Sequence, residues 1–363
     1  MRHRCFFEPA YELRGTLRAG YLCSPIRPKS RQGARIVFLT KLSLFVLQDA
    51  FVEMKRLADL VNSKETTWTA STNNRFAGMT FEQIKKQLGV LPGGPEAPVS
   101  TAHVNAKALP KEYDSATAHP ECASVINRLV DQSACGSCWA MAVTSAATHR
   151  MCIATKGEFQ SQISARDVLS CCSSCGFGCN GGYPTSAWQY LATPGSVTGG
   201  NFEDFSGCVS YPFPMCGHHV DEYDPQCSTM DFSTPTCQKK CDANSTSGTT
   251  YADKYRFAMP VSLSSEEQIK DELYKNGPLS VSFSVYADFV EYKSGIYKYT
   301  TGDFLGGHAV TLVGWGEENG VKYWRIQNSW NDSWGEKGYF RIVRGTNECG
   351  IEGRGAVAGQ PIV

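Results

Sequence analysis

An excess of charge of one sign is missing from this chain of 363 residues, because Lys and Arg together number 35 and so do Asp and Glu. This balance gives no reason to expect binding to nucleic acid or to an anionic membrane surface. A long apolar run is missing too, since the stretch at 36–47 has only twelve residues and contains Lys41. A helix needs about 20 apolar residues to cross a bilayer, so we expect no membrane span. Apolar residues make up 42%, which is typical of a globular protein, and we expect a monomer.

The stretch at 36–47 follows the basic sequence RPKSRQGAR, and its length suits the hydrophobic core of a secretory signal peptide. A signal normally begins a chain, so its internal position leads to the hypothesis that Met1 is not the natural start. We assign residues 1–50 to an N-terminal extension of uncertain structure with a signal-like segment. A signal peptide would direct the protein to the secretory route, and we expect a lysosomal or secreted location.

Cysteine is abundant, with 16 residues, of which fourteen lie between Cys122 and Cys349. This density suits an oxidising compartment and a framework of disulfide bonds. A zinc cluster is the alternative, but few of the seven histidines lie near cysteine pairs at ligand spacing. We therefore expect no metal and no cofactor. The spacing of the cysteines alone does not determine how they pair.

One stretch, residues 132–139 with the sequence QSACGSCW, carries the chemistry that organises the rest of the chain. The small apolar run Trp139–Ala147 that continues it contains no Gly or Pro and predicts a buried helix. Cys138 would then lie at a helix N-terminus, where free N–H groups and the helix dipole favour an anion. A thiol in that position ionises more easily, and the thiolate is the nucleophilic form. Gln132 could present a side-chain amide to the same site.

Two other motifs help to interpret the Cys135–Cys138 pair, which by itself is also typical of a redox dithiol or of half a zinc site. Gly-Gly-His-Ala occupies 306–309, and Gln-Asn-Ser-Trp occupies 327–330. With these three motifs in this order, the chain resembles the papain family of cysteine peptidases, and within it the cathepsin B group. Two alternatives stay open: a thiol-disulfide oxidoreductase using Cys135 and Cys138, and a non-catalytic relative that binds peptides. The second requires the loss of a catalytic residue, and none is lost.

The resemblance implies a role in catalysis for side chains of each of the three motifs. Cys138 would be the nucleophile, and His308 would hold its proton as an imidazolium and later protonate the leaving amine. Asn328 would orient the imidazole, as an aspartate does in serine enzymes. Gln132 and the backbone N–H of Cys138 would form the oxyanion hole, while Trp330 would shield the bond between histidine and asparagine from water.

The resemblance also implies an α+β, papain-like fold of two lobes, with a helical left lobe and a β-barrel-like right lobe. A helical inhibitory propeptide, residues 51–108, would precede the peptidase, residues 109–363; we call these the propeptide region and the peptidase region. Helical patterns at 51–64 and 80–90 support the first assignment, with Thr80 and Gln83 as a capping pair and Gly89 as the stop. Strand patterns lie at 281–286, 308–315, 322–330 and 338–345, and Asn319-Gly320 indicates a hairpin. A further helix is expected over 163–172.

Substrate contacts also follow from the resemblance. Gly181 and Gly182 would form an edge that pairs with extended substrate backbone, because glycine permits close approach. Ala309 and Trp330 would line the same cleft. We therefore expect peptides and proteins as substrates, the protein's own propeptide as an inhibitor, and cystatin-like proteins as further partners.

An insertion at about 211–241 would form the occluding loop of the cathepsin B group. It accounts for the separations 308−138 = 170 and 328−138 = 190, which exceed the usual figure of roughly 130–150. His218 and His219 in this loop would bind the C-terminal carboxylate of a substrate, giving peptidyl-dipeptidase activity beside endopeptidase activity. Asp131 would clasp His218 as an ion pair.

This chain departs from the group at two places. The second clasp of the loop, an Arg–Asp pair, is replaced by Asp224 and Ser333, so we expect a looser loop and relatively more endopeptidase activity. The position that in many relatives carries a Glu falls near Arg354 and Gly355. Apolar residues are therefore expected at P2 rather than Arg.

Six disulfide bonds are implied by the resemblance, and Cys138 stays free. They are Cys122–Cys152, Cys135–Cys179, Cys171–Cys237, Cys172–Cys175, Cys208–Cys241 and Cys216–Cys227. Asn244 begins a glycosylation sequence on a polar loop. Asn331 begins another, but it adjoins the cleft, so we expect only Asn244 to be modified.

Overall fold

The structure, a computed structural model, describes residues 49–72, 74–102, 104, 109–217, 226–353 and 355–363. The signal-like segment lies outside these residues. Within them the helices are α1 (49–63), α2 (Phe81–Lys85), α3 (Ser115–Ala118), α4 (Ala123–Ile126), α5 (Cys138–Ala154), α6 (Ala165–Cys171), α7 (Pro184–Ala192) and α8 (Glu266–Asn276). The strands are β1 (Trp68–Ala70), β2 (Tyr113–Asp114), β3 (Gln162–Ile163), β4 (Thr198–Gly199), β5 (Arg256–Phe257), β6 (Val261–Leu263), β7 (Leu279–Tyr286), β8 (Tyr292–Tyr297), β9 (Phe304–Glu318), β10 (Val321–Gln327), β11 (Tyr339–Val343), β12 (Ala356–Ala358) and β13 (Pro361–Ile362).

Nine strands form the main sheet, which follows an open path in the order β1-β8-β11-β10-β9-β7-β12-β6, with β2 added beside β9. The central pairs β7–β9, β9–β10 and β10–β11 are antiparallel. Asn319 and Gly320 join β9 to β10, and both have positive φ, 51° and 79°. Two left-handed residues suit a two-residue hairpin, as the sequence predicts.

Two hydrophobic clusters give the molecule two lobes. One packs helix residues such as Trp139, Val168 and Trp188. The other packs strand residues such as Trp324 and Phe340. The prediction of an α+β, papain-like fold of two lobes is confirmed.

The propeptide region shares the core of the strand lobe. Leu57 and Val61 of α1 belong to that cluster. Strand β1 extends the sheet by pairing with β8, with Trp68 opposite Gly295. Main-chain hydrogen bonds and apolar burial therefore both hold this region in place. The sequence predicted helices here but not the strand β1.

The predicted helices are present, but one boundary and one element differ. Thr80 and Gln83 form the expected capping box of α2, yet this helix ends at Lys85 rather than continuing to Gly89. Helix α6 begins after Ser164, whose side chain accepts from the Asp167 N–H, as expected. Helix α8 precedes the predicted strand at 281–286 and was not predicted.

All six disulfide bonds of the described residues join the pairs that the resemblance implied. They are Cys122–Cys152, Cys135–Cys179, Cys171–Cys237, Cys172–Cys175, Cys208–Cys241 and Cys216–Cys227. Cys138 and Cys349 carry free thiols. In the part of the chain that the structure describes, no helix has both the length and the apolar character to cross a bilayer.

Candidate active site

Cys138 is the first residue of α5, a helix of 17 residues that is buried along nearly all its length. Ser137 occupies the N-cap, but its hydroxyl pairs with Tyr211 OH at 2.8 Å and does not cap the helix, so the N–H groups of the first turn stay available to the cysteine. The Cys138 thiol is free and completely buried. Cys135 is bonded to Cys179 and therefore cannot pair with Cys138. The structure thus places the predicted nucleophile at a helix N-terminus.

His308 lies in β9, the strand that packs against α5. Ala309, the next residue, contacts Cys138 and Ala142 in one small buried cluster. His308 Nε2 lies 2.8 Å from Asn328 Oδ1. The same oxygen accepts the backbone N–H of Ser329 at 2.8 Å, which identifies it as the oxygen rather than the amide nitrogen. The neutral imidazole therefore donates from Nε2, and its Nδ1 keeps a lone pair.

Trp330 covers the imidazole, as the sequence predicts. Its ring stacks on that of His308, with centroids 4.6 Å apart and planes 23° apart. Its other neighbours include Phe76 of the propeptide region, packed edge-on at 4.8 Å. Trp330 is fully buried, so the bond between His308 and Asn328 is kept from water.

Gln132 directs its amide group at a main-chain carbonyl of the propeptide region. Its Nε2 donates to Gln87 O at 2.7 Å and to Cys135 O at 2.8 Å. Ser329 Oγ donates to its Oε1 at 2.8 Å and fixes the orientation of the amide. The donor predicted for an oxyanion is thus used here by a carbonyl oxygen of the same chain.

Residues 88–91 follow the turn after α2 and run through the cleft, where they pair with backbone of the peptidase region. The Gly89 N–H donates to Cys138 Sγ at 3.2 Å, and Gly182 N–H donates to Gly89 O at 2.8 Å. Val90 N–H donates to Gly307 O at 3.0 Å, and Leu91 N–H donates to Gly182 O at 3.1 Å. The predicted edge at Gly181 and Gly182 is therefore occupied by the chain's own backbone.

Glycines make this close approach possible. A Cβ on Gly89 would lie 1.9 Å from Gly136 O, and one on Gly182 would lie 2.7 Å from the Trp139 ring. A Cβ on Gly181 would meet Leu91 at 2.9 Å. A side chain at Gly89 or Gly181 would push the two regions apart, whereas one at Gly182 would collide within the peptidase region.

Both reacting groups are neutral in this arrangement. Burial raises the pKa of the Cys138 thiol to about 11, although the N–H groups of Ala309 and Gly89 act in the opposite direction. Burial likewise lowers the pKa of His308 to about 4, opposed by the bond to Asn328 and aided by the charge of Arg75. The covered site therefore disfavours a thiolate beside an imidazolium, because the propeptide region removes the water that would solvate both charges. For the open cleft, that ion pair stays a prediction.

Asp131 is buried next to Gln132 and accepts four hydrogen bonds. The donors are Arg75 Nη1 at 3.0 Å, Ser133 N at 2.8 Å, Cys216 N at 3.0 Å and Asn331 Nδ2 at 2.8 Å. His218 and His219 lie outside the described residues, as do Asp224 and Arg354. The clasp between Asp131 and His218 stays a prediction. Among the described residues, Asp131 forms its ion pair with Arg75.

The two glycosylation sequences differ in access. Asn244 is exposed. Asn331 is buried, and its amide nitrogen donates to Asp131 Oδ2 and to Cys216 O, both at 2.8 Å. Burial keeps Asn331 from a modifying enzyme, and glycosylation of Asn244 stays a prediction.

Three residues of the propeptide region join the site and were not identified from the sequence: Arg75, Phe76 and Gln87. Their partners lie between 45 and 254 positions away along the chain, the latter being 330−76. The LGVLPGGP sequence at 88–95 was the available signal, since it predicts an extended segment beside them.

Known proteins are similar to this chain in sequence and in structure. A sequence model of the family described as papain family cysteine protease matches residues 109–358, and one of the peptidase family C1 propeptide matches residues 47–94. The chain is 44% identical to cathepsin B-like cysteine proteinase 4 of Caenorhabditis elegans over 313 residues, which is 85% of this chain and 92% of that protein. It is similar in structure to proCathepsin B S9 from Trypanosoma congolense, with a TM-score of 0.73, 38% identity, and coverage of 85% of this chain and 98% of that one.

Proposed function

The chain belongs to the papain family of cysteine proteases, and on that premise we propose that it is a precursor whose peptidase region cleaves peptide bonds through an acyl-enzyme on Cys138. The finer proposal is an endopeptidase that also releases dipeptides from substrate C-termini. One observation carries the catalytic part. Cys138 is unpaired at a helix N-terminus, and His308 of the facing strand β9 is bonded to Asn328, which directly follows β10.

The proposed reaction begins when His308 Nδ1 takes the thiol proton and the Cys138 sulfur attacks the substrate carbonyl. Gln132 Nε2 and the Cys138 N–H hold the resulting oxyanion. The imidazolium then gives its proton to the leaving amine, which departs as a thioester forms. Water, deprotonated by His308, cleaves the thioester and returns the thiol. Asn328 Oδ1 keeps Nε2–H in place, so that Nδ1 always faces the reaction.

The propeptide region would hold this chemistry off until it is removed. Its carbonyl at Gln87 uses the Gln132 donor, and its Gly89 N–H donates to the sulfur. Removal would return water to the cleft, which lowers the cost of charging both Cys138 and His308. A thiolate and an imidazolium would then stabilise each other.

Dipeptide release would depend on His218 and His219, two cations that can neutralise one terminal carboxylate. Their loop is closed by the Cys216–Cys227 bond. The position of the second clasp carries Ser333, whose hydroxyl donates to Asn331 Oδ1 at 2.5 Å and offers no charge to the loop. We therefore propose a loosely held loop and a larger share of endopeptidase activity.

The oxidoreductase alternative has no observation in its favour. Cys135 is bonded to Cys179, and Cys138 has no cysteine partner. A redox dithiol needs both sulfurs of one pair to exchange. We further propose that the protein is lysosomal or secreted, that its substrates are peptides and proteins, and that cystatin-like proteins inhibit it.

An epoxide thiol inhibitor tests the catalytic part. The full chain is incubated with it before and after removal of the propeptide, and the modified residue is located by mass mapping. We expect modification of Cys138 only after removal, together with loss of peptidase activity, while Cys138→Ser takes up no label there. Equal labelling of Cys138 and Cys349, with activity retained, would contradict the proposal.

A separate assay tests dipeptide release. A peptide with a free C-terminus is compared with its C-terminal amide, which removes the carboxylate. We expect faster dipeptide release from the acid, and loss of that preference in the variant His218→Ala/His219→Ala. If neither substrate yields dipeptides, the enzyme is an endopeptidase alone.

A further inference from the structure

A buried arginine of the propeptide region reaches into the peptidase region behind the cleft. Arg75 is 1% exposed, and its Nη1 lies 3.0 Å from Asp131 Oδ1. Its Nη2 donates to Ser133 O at 3.2 Å and to Gln87 Oε1 at 3.2 Å, and it lies 3.4 Å from Cys216 Sγ. Both members of the ion pair have no exposed side-chain surface.

The acceptor side of this contact is organised by the peptidase region itself. Asp131 Oδ1 also accepts the Ser133 N–H, and Asp131 Oδ2 accepts the Cys216 N–H and the Asn331 amide. These three donors hold the carboxylate so that Oδ1 and the Ser133 carbonyl face the same guanidinium. A planar, two-pronged cation fits two such acceptors better than an ammonium does.

Breaking this ion pair costs more free energy than forming it contributes. A buried ion pair adds little over an apolar contact of equal size, but removing one partner leaves an uncompensated charge away from water. Withdrawal of Arg75 would therefore require Asp131 to find a new cation or to be reached by water. The contact thus resists a small opening of the propeptide region and gives way only in a larger one.

The same cluster includes the base of the loop that follows. Cys216 begins the disulfide-closed segment, and its N–H, its carbonyl and its sulfur all contact members of the cluster, namely Asp131, Asn331 and Arg75. Helix α2 of the propeptide region contacts the far end of that segment, because Gln83 Nε2 donates to Ser228 O at 3.1 Å. Both ends of the loop therefore contact the propeptide region.

We propose that Asp131 and the Ser133 carbonyl form a guanidinium-binding site of the peptidase region, that Arg75 fills it in the precursor, and that this pairing anchors the propeptide region over Cys138 and to the base of the Cys216–Cys227 loop. The inference rests on the proposed role of the propeptide region as inhibitor. According to this inference, the peptidase region recognises the propeptide region through Arg75, a side chain outside the segment 87–91 that occupies the cleft. The charge of Arg75 also contributes to the lowered pKa of His308, so the anchor disfavours the imidazolium as well as closing the cleft.

The test measures how fast iodoacetamide alkylates Cys138 in the intact, full-length precursor, with the labelled peptide identified by mass mapping. This readout needs no peptidase activity. Arg75→Met is expected to raise the rate on the order of 100-fold, because it leaves a buried carboxylate unpaired. Asp131→Asn is expected to raise it too. The double variant Arg75→Met/Asp131→Asn should be alkylated more slowly than Arg75→Met, since no charge is left uncompensated.

Arg56→Met is the matched control, because Arg56 is an exposed arginine of the propeptide region paired with Glu53 at 2.7 Å. Its rate should stay within about twofold of the wild type. Formation of the six disulfides shows whether Arg75→Met folds. If it does not fold, Arg75→Lys is the substitute, because it keeps the positive charge but cannot bind two acceptors in one plane. Arg75→Lys should raise the alkylation rate about 10-fold.

Two results would overturn the inference: an Arg75 variant that behaves like Arg56→Met, or effects of Arg75→Met and Asp131→Asn that simply multiply. Failure of the proposed function looks different. In that case Cys138 of the wild-type precursor would already be alkylated as fast as an exposed thiol.

Discussion

The propeptide region and the peptidase region are stabilised in different ways. The six disulfide bonds of the described residues lie within the peptidase region, between Cys122 and Cys241, whereas residues 51–108 contain no cysteine. Among the described residues, the propeptide region is attached by strand pairing, apolar burial and polar contacts, both buried and exposed, and not by a covalent cross-link.

This difference suits a segment that is to be removed once. A disulfide typically contributes about 2–4 kcal/mol and persists through local opening, while non-covalent contacts are lost together when a docked segment separates. The peptidase region can therefore survive the departure of its neighbour. The comparison predicts substitutions that loosen one region and leave the other intact.

The largest effect is expected at Gly89, where the two backbones are closest. A Cβ there would lie 1.9 Å from Gly136 O and 2.6 Å from Gly136 C, so Gly89→Ala must displace the segment 87–91. We expect alkylation of Cys138 in the intact precursor to rise on the order of 100-fold, as for loss of several kcal/mol of docking. After processing, the enzyme is chemically identical to the wild type and should have the same activity.

Gly93→Asn is the control for this change. Nothing lies within 4 Å of a Cβ at Gly93, and Asn tolerates its φ of 72°. Gly136→Ala sharpens the comparison, since its Cβ would meet Lys86 O at 2.5 Å and Cys179 O at 2.6 Å and so disturb both regions. Equal alkylation of Gly89→Ala and Gly93→Asn would show that this approach does not hold the segment.

A smaller effect concerns Glu291, a buried carboxyl where the two regions meet. Its Oε2 accepts from Asn74 Nδ2 at 3.1 Å, and burial raises its pKa to about 8 from an ordinary 4.5, although the Asn74 bond opposes the rise. The folded precursor therefore holds a proton that the unfolded chain releases above pH 4.5. Its contribution to stability is complete below about pH 4.5 and is lost as the pH rises to about 8.

Glu291→Gln keeps the acceptor for Asn74 and removes the titration. We expect urea unfolding of the precursor, in a Cys138→Ser background, to give a higher stability at pH 8 by on the order of a few kcal/mol and little change at pH 4.5. Glu82→Gln, at an exposed site of α2, should leave the pH dependence unaltered. A wild-type stability that is flat between pH 4.5 and 8 would refute the assignment.

The sequence predicted those parts of the structure that follow from local pattern or from a motif. Helix α5 with Cys138 at its start, the hairpin at Asn319-Gly320 and the capping pair Thr80–Gln83 are of this kind. The pairing of Arg75 with Asp131, 56 positions apart, depends on how the two regions dock. No local pattern encodes such a contact.

The protonation state of the site could not be predicted for a related reason. The sequence indicates a helix N-terminus, which favours a thiolate, but the pKa of Cys138 is decided by burial under residues from elsewhere in the chain. Helix α8 was missed for another reason. The strand patterns that follow it, from residue 281 onward, led to the prediction of a β-barrel-like lobe in this part of the chain. Its Ser265 cap was a usable signal.

The smallest effect compares two N-caps, Thr80 of α2 in the propeptide region and Ser265 of α8 in the peptidase region. Each side-chain oxygen accepts the backbone N–H three residues on, from Gln83 and from Gln268, both at 3.2 Å. Replacing either by Ala should cost about 1 kcal/mol locally. Because only the propeptide region can open separately, Thr80→Ala should raise Cys138 alkylation about fivefold, the factor that corresponds to about 1 kcal/mol, whereas Ser265→Ala should lower the urea midpoint and leave alkylation unchanged. If both variants changed alkylation equally, the two regions would open as one cooperative unit, and the contrast between them would not hold.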